Sequence, residues 1–320
     1  MANHRICWLA CALACAFALA APASTQQPEP PAAPPDQAAG ETLGVDLNRT
    51  ERKTVPVNIG PGGPYRFIVD TGSERTVISR ELARDLQLAA GSPVRLHSMT
   101  EISHVQTALV PALRIGRRTV SNIHAPTLAQ RSLGADGLLG VDSLASQRVE
   151  FDFRSNEMTV VPSRGREARW DGETLVVTAR SRFGRLILVD ASFDGERIYV
   201  ILDTGAQVSI ANEALRRRLD RRGRLGPTVP IELVSVTGGL MTVDYGVARR
   251  VRIGGLEILD LPVGFGDVAP FRKLNLLDRP AILLGMDALQ LFDRVSMDFA
   301  TRQVRMQLPS ATPARRPAAP

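Results

Sequence analysis

The chain has 320 residues, of which 44% are hydrophobic and 22% charged, with a formal net charge of +6. This length accommodates two modest domains that each bury a core, and the composition is ordinary for a soluble globular protein. The positive charge is arginine scattered along the chain, and no basic run interleaves with aromatics, which argues against a dedicated nucleic-acid surface. Aromatics make up only 5%, so the cores must be built mainly from Val, Leu, Ile and Ala.

The first residues read as an export signal over residues 1–23. His4 and Arg5 give a weakly positive start, Ile6 to Ala21 is almost unbroken apolar sequence, and Ala21-Pro22-Ala23 offers small residues for cleavage before Ser24. An uncleaved anchor is the alternative reading. A lipoprotein role for Cys15 fits less well, because Ala12 stands where a large aliphatic is expected. All three cysteines (Cys7, Cys11, Cys15) lie in this segment, so the mature chain is expected to have no disulfide, thiol nucleophile or thiolate ligand. The expected location is the periplasm or cell envelope of a bacterium.

Residues 24–44 are rich in Pro, Ala and Gln and read as a disordered tether. A first domain is expected over 45–162, a connection over 163–184, a second domain over 185–308, and a disordered tail over 309–320. Both domains show β signals: runs such as Thr54–Ile59, Arg66–Val69, Leu186–Ser192 and Arg197–Leu202, punctuated by turns at Pro61-Gly62-Gly63-Pro64 and Asp194-Gly195. Two helices are expected, Ser79–Leu88 and Asn212–Arg222, with Ser79 and Asn212 as N-caps and Gly223 as a stop. The arginines at 216–218, 221, 222 and 224 read as the solvated face and end of the second helix.

An internal repeat ties the two domains together. Phe67-Ile68-Val69-Asp70-Thr71-Gly72 is echoed by Val200-Ile201-Leu202-Asp203-Thr204-Gly205. Leu138-Leu139-Gly140-Val141-Asp142 is echoed by Leu283-Leu284-Gly285-Met286-Asp287, and Phe151-Asp152-Phe153 by Met297-Asp298-Phe299. The second copy is the longer, with its extra residues expected around Phe265–Arg279.

A lone Asp-Thr-Gly is a common turn, but two copies that each end an apolar strand point to chemistry. Two carboxylates within hydrogen-bonding distance cannot both ionise cheaply; they share a proton and their pKa values split apart. One can then activate a water while the other protonates a carbonyl. Thr71 and Thr204 can lock the two loops together through side-chain to backbone bonds, and Gly72 and Gly205 allow the tight turns. A pseudo-twofold axis between the loops would set Asp70 against Asp203.

With Ser73 and Ala206 completing the loops, and with Leu138-Leu139-Gly140 and Leu283-Leu284-Gly285 beside them, these motifs resemble the retropepsin-like aspartic proteases, in particular exported bacterial members with two fused domains. The resemblance spans about Leu43 to Leu308. It implies an all-β, bilobal acid-protease fold with two closed barrel lobes and few short helices. It also implies Asp70 and Asp203 as the catalytic pair and the Leu-Leu-Gly segments threaded beneath them. Ser73 would bond the outer oxygen of Asp70, which Ala206 cannot do for Asp203. Flap hairpins should cover the cleft, one with its tip at Thr237-Gly238-Gly239 and a weaker candidate carrying Met99 and Thr100; plain exposed hairpins are the alternative.

Other catalytic readings fare poorly. There is no Gly-x-Ser-x-Gly elbow, no His-Glu-x-x-His helix and no phosphate-binding glycine loop, and His97, His104 and His124 are badly spaced for a metal. Asp142 and Asp287 read as caps of the short helices that follow them, and Asp152 and Asp298 as outward-pointing strand residues. The expectation is an aspartic endopeptidase acting on extended polypeptide, monomeric, with an intrachain site and with no metal, organic cofactor or nucleic acid implied. The rivals are a catalytically weak peptide-binding module on the same fold, and a homodimer in which each lobe pairs with its twin.

Overall fold

Short Val, Ile and Leu runs broken by Gly, Asp and Pro fold into strands almost throughout, with six short helices among the described residues. The structure is a computed structural model that describes residues 41–44, 46–47, 53–99, 102–163 and 169–309. The expected signal at 1–23, the tether up to residue 40, flap residue Thr100 and the tail from residue 310 lie outside the described residues.

In the first lobe, strand Lys53–Ile59 runs into Gly62–Val69, which lies parallel to Gly137–Leu139. The sheet continues through Val77–Ser79 and Arg118–Leu128 to Ile102–Ile115, whose far end pairs back onto Lys53–Ile59 at Val57↔Ile115. Six strands thus close into a barrel, which removes unpaired edges. The turn sits slightly earlier than expected, at Gly60-Pro61, because Gly60 takes the left-handed φ of 56° and Gly62-Gly63-Pro64 belongs to the strand.

The second lobe repeats this plan with more interruptions. Arg185–Leu188 and Ala191–Phe193 form one broken strand, Glu196–Arg197 and Tyr199–Leu202 its partner. Asp194 and Gly195 both have positive φ (45° and 83°), as a two-residue hairpin turn needs. Tyr199–Leu202 lies parallel to Ala281–Leu284, and the circuit returns through Ile210–Ala211, Leu256–Phe265 and Leu240–Ile253 to Ala191–Phe193.

Beneath both lobes lies a six-stranded sheet in the order Glu41–Gly44, Glu157–Pro162, Gln147–Asp152, Arg294–Asp298, Gln303–Gln307, Thr174–Thr178. Its central pair is antiparallel and centred on Glu150↔Ser296, with Arg148↔Asp298 and Asp152↔Arg294 on either side. A pseudo-twofold axis therefore passes through that pair. Val149, Phe151, Val295 and Met297 are buried here, each contributing about 1.5–3 kcal/mol of hydrophobic stabilisation. Two segments read as linkers take part: Glu41–Gly44 from the expected tether and Thr174–Thr178 from the expected connection form the two edges. Asp298 does not point outward. It is 2% exposed and accepts bonds from the Ser163 hydroxyl (2.6 Å) and the Ala300 and Thr301 amides. Asp152 likewise holds its turn and pairs with Arg294 at 2.6 Å.

Both expected helices form, slightly shorter, as Arg80–Asp85 and Glu213–Arg221. Ser79 accepts from the Leu82 amide and Asn212 from the Leu215 amide, the same capping bond at equivalent places in the repeat. The arginines at the end of the second helix and just beyond it are not merely solvated. Arg218, Arg222 and Arg224 surround Glu196, which is 3% exposed, at 3.9, 2.6 and 3.5 Å.

Candidate active site

Each Asp-Thr-Gly begins where a buried strand ends. Asp70 follows Gly62–Val69 and its amide donates to Leu139 O (3.0 Å); Asp203 follows Tyr199–Leu202 and its amide donates to Leu284 O (3.0 Å). Leu138, Leu139, Leu283 and Leu284 are all at most 2% exposed, so both loops rest on packed aliphatic floors. Gly140 and Gly285 are needed there. A Cβ on Gly140 would strike the Arg75 backbone, and one on Gly285 would lie 2.9 Å from Ala206 O.

The two threonines lock the loops across the axis. The Thr71 amide donates to Thr204 Oγ1 (3.2 Å) and the Thr204 amide to Thr71 Oγ1 (3.1 Å). Thr71 Oγ1 donates to Leu202 O (2.9 Å) and Thr204 Oγ1 to Val69 O (2.7 Å). Four buried, reciprocal bonds at about 0.5–1.5 kcal/mol each fix the loops against one another. Gly72 and Gly205 then let the carboxyls meet. A Cβ on Gly72 would collide with the Asp203 carboxyl, and one on Gly205 with the Asp70 carboxyl.

Asp70 Oδ1 accepts from the Gly72 and Ser73 amides (both 2.9 Å), and Asp203 Oδ1 from the Gly205 amide (2.9 Å) with help from the Ala206 amide. The Ser73 hydroxyl does not make the expected bond to Asp70; it donates to Arg75 O at 2.8 Å. Burial raises both carboxyls above the ordinary range. For Asp70 the Asp203 charge and their mutual hydrogen bond raise it further, well above the usual value. For Asp203 the Gly205 amide, the hydrogen bond from Asp70 and the Arg185 charge hold the rise back. The pair therefore shares one proton, and the two carboxyls titrate as a unit rather than as two independent groups.

Three charged residues that sequence reasoning missed stand behind the Asp70 loop. Arg185, 4% exposed, donates through Nε to Gly72 O (2.6 Å) and through Nη1 to Glu74 Oε1 (2.8 Å), and its charge favours ionisation of both aspartates. Lys273 binds the other Glu74 oxygen at 2.5 Å. Burial would raise the Glu74 pKa, but Lys273 and Arg185 outweigh it and the carboxyl is held below its usual value. Lys273 comes from helix Ala269–Lys273 in the extra stretch of the second copy, where Pro270 at the first turn is the one local signal. Asp142 and Asp287 are not helix caps; Gly140 and Gly285 hold the cap positions. Asp142 instead takes the Thr76 amide and hydroxyl (2.9 and 2.7 Å), and Asp287 those of Ser209 (2.8 and 2.6 Å), tying each helix to the end of its Asp-Thr-Gly loop.

Two hairpins roof the cleft. The second-lobe hairpin, Val229–Val234 with Leu240–Ile253, turns through Ser235–Gly239, with Gly238 at φ 88° and a 2.8 Å bond from its amide to Ser235 O. Of its tip, Val236 and Gly238 line the cleft, whereas Thr237 and Gly239 shape the turn. The first-lobe hairpin, Ala90–His97 with Ile102–Ile115, brings Met99 to the cleft. Val236 packs with Val77, Leu128, Leu133 and Leu138 of the first lobe, and Met99 against the cluster around Ile210 and Leu283 of the second. Each flap thus reaches the opposite lobe's apolar floor.

Among curated proteins none matches the sequence. The profile of a family described as Aspartyl protease matches residues 55–143 and again residues 189–288, more than half of the chain in two stretches, each spanning one Asp-Thr-Gly and one Leu-Leu-Gly. The twofold match follows the repeat that brings Asp70 and Asp203 together, and the chain belongs to the aspartyl protease family.

Proposed function

We propose that the protein is an exported aspartic endopeptidase that hydrolyses polypeptides bound in extended form between the flaps and the paired aspartates. The observation that supports it most is the buried carboxyl pair, held by matched backbone donors and sharing one proton. A water between the carboxyls would lose a proton to the ionised member of the pair while its oxygen attacks the peptide carbonyl carbon. The protonated member would give its proton to the carbonyl oxygen, leaving a neutral gem-diol. On collapse the C–N bond breaks, the carboxyl that took the water's proton passes it to the leaving amine, and the other recovers a proton from the diol. Only the two carboxyls and water take part.

Both aspartates belong to one chain, so a monomer would hold a complete site. The apolar segment at the start of the sequence, ending in Ala21-Pro22-Ala23, supports action outside the cytoplasm. Incubating the purified protein and its Asp70→Ala variant with a diverse peptide library tests the reading. Cleavage by the first and none by the second is expected; equal cleavage by both would sink it.

A further inference from the structure

The two Asp-Thr-Gly loops share a backbone, but the residues that follow differ in charge. Glu74 and Arg75 of the first loop stand where the second has Gln207 and Val208. The cleft inherits this difference. A cavity of 330 Å³ spans both aspartates, and on the first loop's side Arg75, Arg95, Lys273 and Glu74 stand around the apolar floor of Val77 and Leu138. A cavity of 610 Å³ on the second loop's side is lined by Ala206, Val208, Ile210, Leu233 and Val236, with Arg131 and Glu232 as its charged groups. The two meet at Met99, Gly205, Ala206 and Val236. In the cationic half the Glu74 carboxylate is already taken up by Arg185 and Lys273. The exposed guanidiniums of Arg75 and Arg95 form no ion pair among the described residues.

We infer that this cleft selects polypeptides with an acidic side chain on one side of the scissile bond and aliphatic side chains on the other, the acidic group seated against Arg75 and Arg95. The inference rests on the proposed peptide-hydrolysing role of the same cleft. The physical basis is charge complementarity in a partly enclosed site. A carboxylate meets two guanidiniums there that are unpaired among the described residues, whereas a lysine meets like charge. The opposite half offers apolar surface that rewards large aliphatic groups.

The test uses positional peptide libraries with Glu, Gln or Lys fixed at each of the places flanking the cut. Cleavage by the wild-type protein is followed beside capture of intact peptides by immobilised Asp70→Asn protein. Cleavage of Glu peptides about tenfold faster than Lys peptides, with Gln between, is expected, confined to one side of the bond. Arg75→Glu with Arg95→Glu should invert that order, read as the ratio of Glu-peptide to Lys-peptide cleavage within the one protein. Raising salt toward ~1 M should flatten the preference, since exposed charges are then screened within a few ångströms. Cleavage indifferent to charge, or an acidic preference that survives the double charge reversal, overturns the inference and leaves proteolysis standing. Acidic enrichment on the Asp70→Asn protein without cleavage by the wild type keeps the inference and removes proteolysis. Neither enrichment nor cleavage removes both.

Discussion

The two halves of the cleft have the same skeleton and different upholstery. From each Asp-Thr-Gly to the following helix cap, the backbone bonds correspond pair by pair: Asp70 with Asp203, Thr71 with Thr204, Thr76 with Ser209, Ser79 with Asn212. Side chains diverge at positions that face the cleft, where Glu74 and Arg75 oppose Gln207 and Val208. Residues that hold the carboxyls together are matched because the twofold geometry requires a partner for each of them. Residues that touch an unsymmetrical substrate carry no such requirement.

Breaking the matched set should have the largest effects, and nearly equal ones in both halves. Asp70→Ala and Asp203→Ala are each expected to lower kcat by about 10³-fold or more, since each removes one partner of the proton-sharing pair; single-turnover peptide cleavage measures this. Gly72→Ala and Gly205→Ala should come next. Each new methyl collides with the aspartate of the other half, and displacing a catalytic group by about 1 Å costs on the order of 10² in rate. A large loss in only one of the two would break the symmetry argument. Thr71→Val and Thr204→Val should each destabilise the protein by about 1–3 kcal/mol, by removing a buried hydroxyl that both donates and accepts. Urea denaturation of the two single variants and the double should give a total well below the sum, because the bonds are reciprocal.

How much of this is legible in the sequence follows the same division. The repeat displays Asp70, Asp203 and the Leu-Leu-Gly floors, since strict geometry keeps the same residue types in both copies. The capped helices are legible from Ser79 and Asn212. What escapes is long-range and unsymmetrical. Lys273 reaches Glu74 from 199 residues away, and nothing local in Arg185 announces that it will be buried beneath Gly72. The edges of the six-stranded sheet escape as well. Glu41–Gly44 and Thr174–Thr178 are only 4 and 5 residues long, and so short a run has little alternation to separate it from a linker. Asp298 is misread for a related reason: the alternation rule sees a charged residue in a strand, whereas the tertiary structure supplies a hydroxyl and two amides to receive it.

The smallest effects should sharpen the difference between halves, and they lie in the pH dependence of stability. A carboxyl whose folded pKa is raised weakens the fold as pH climbs from the unfolded value, about 3.9, through the folded one, and that weakening persists at neutral pH. Burial raises both Asp70 and Asp203, against the pull of their loop amides and of Arg185. Asp70→Asn and Asp203→Asn should therefore each stabilise the protein at pH 7, and the gain should vanish as pH falls below the unfolded value. Glu74 has the opposite sign. Its folded pKa is depressed, so its contribution is present at neutral pH and is lost as pH falls from the unfolded value through the folded one. Glu74→Gln should cost about 1–2 kcal/mol at pH 7, because it removes the negative charge facing Lys273 and buried Arg185 although the amide oxygen can still accept one hydrogen bond, and should cost little in acid. Gln207→Glu, its counterpart in the other half, meets no such pair of cations and should leave stability nearly unchanged. Thermal melts of these variants between pH 3 and 7 distinguish a charge network particular to the first loop from a general response of both.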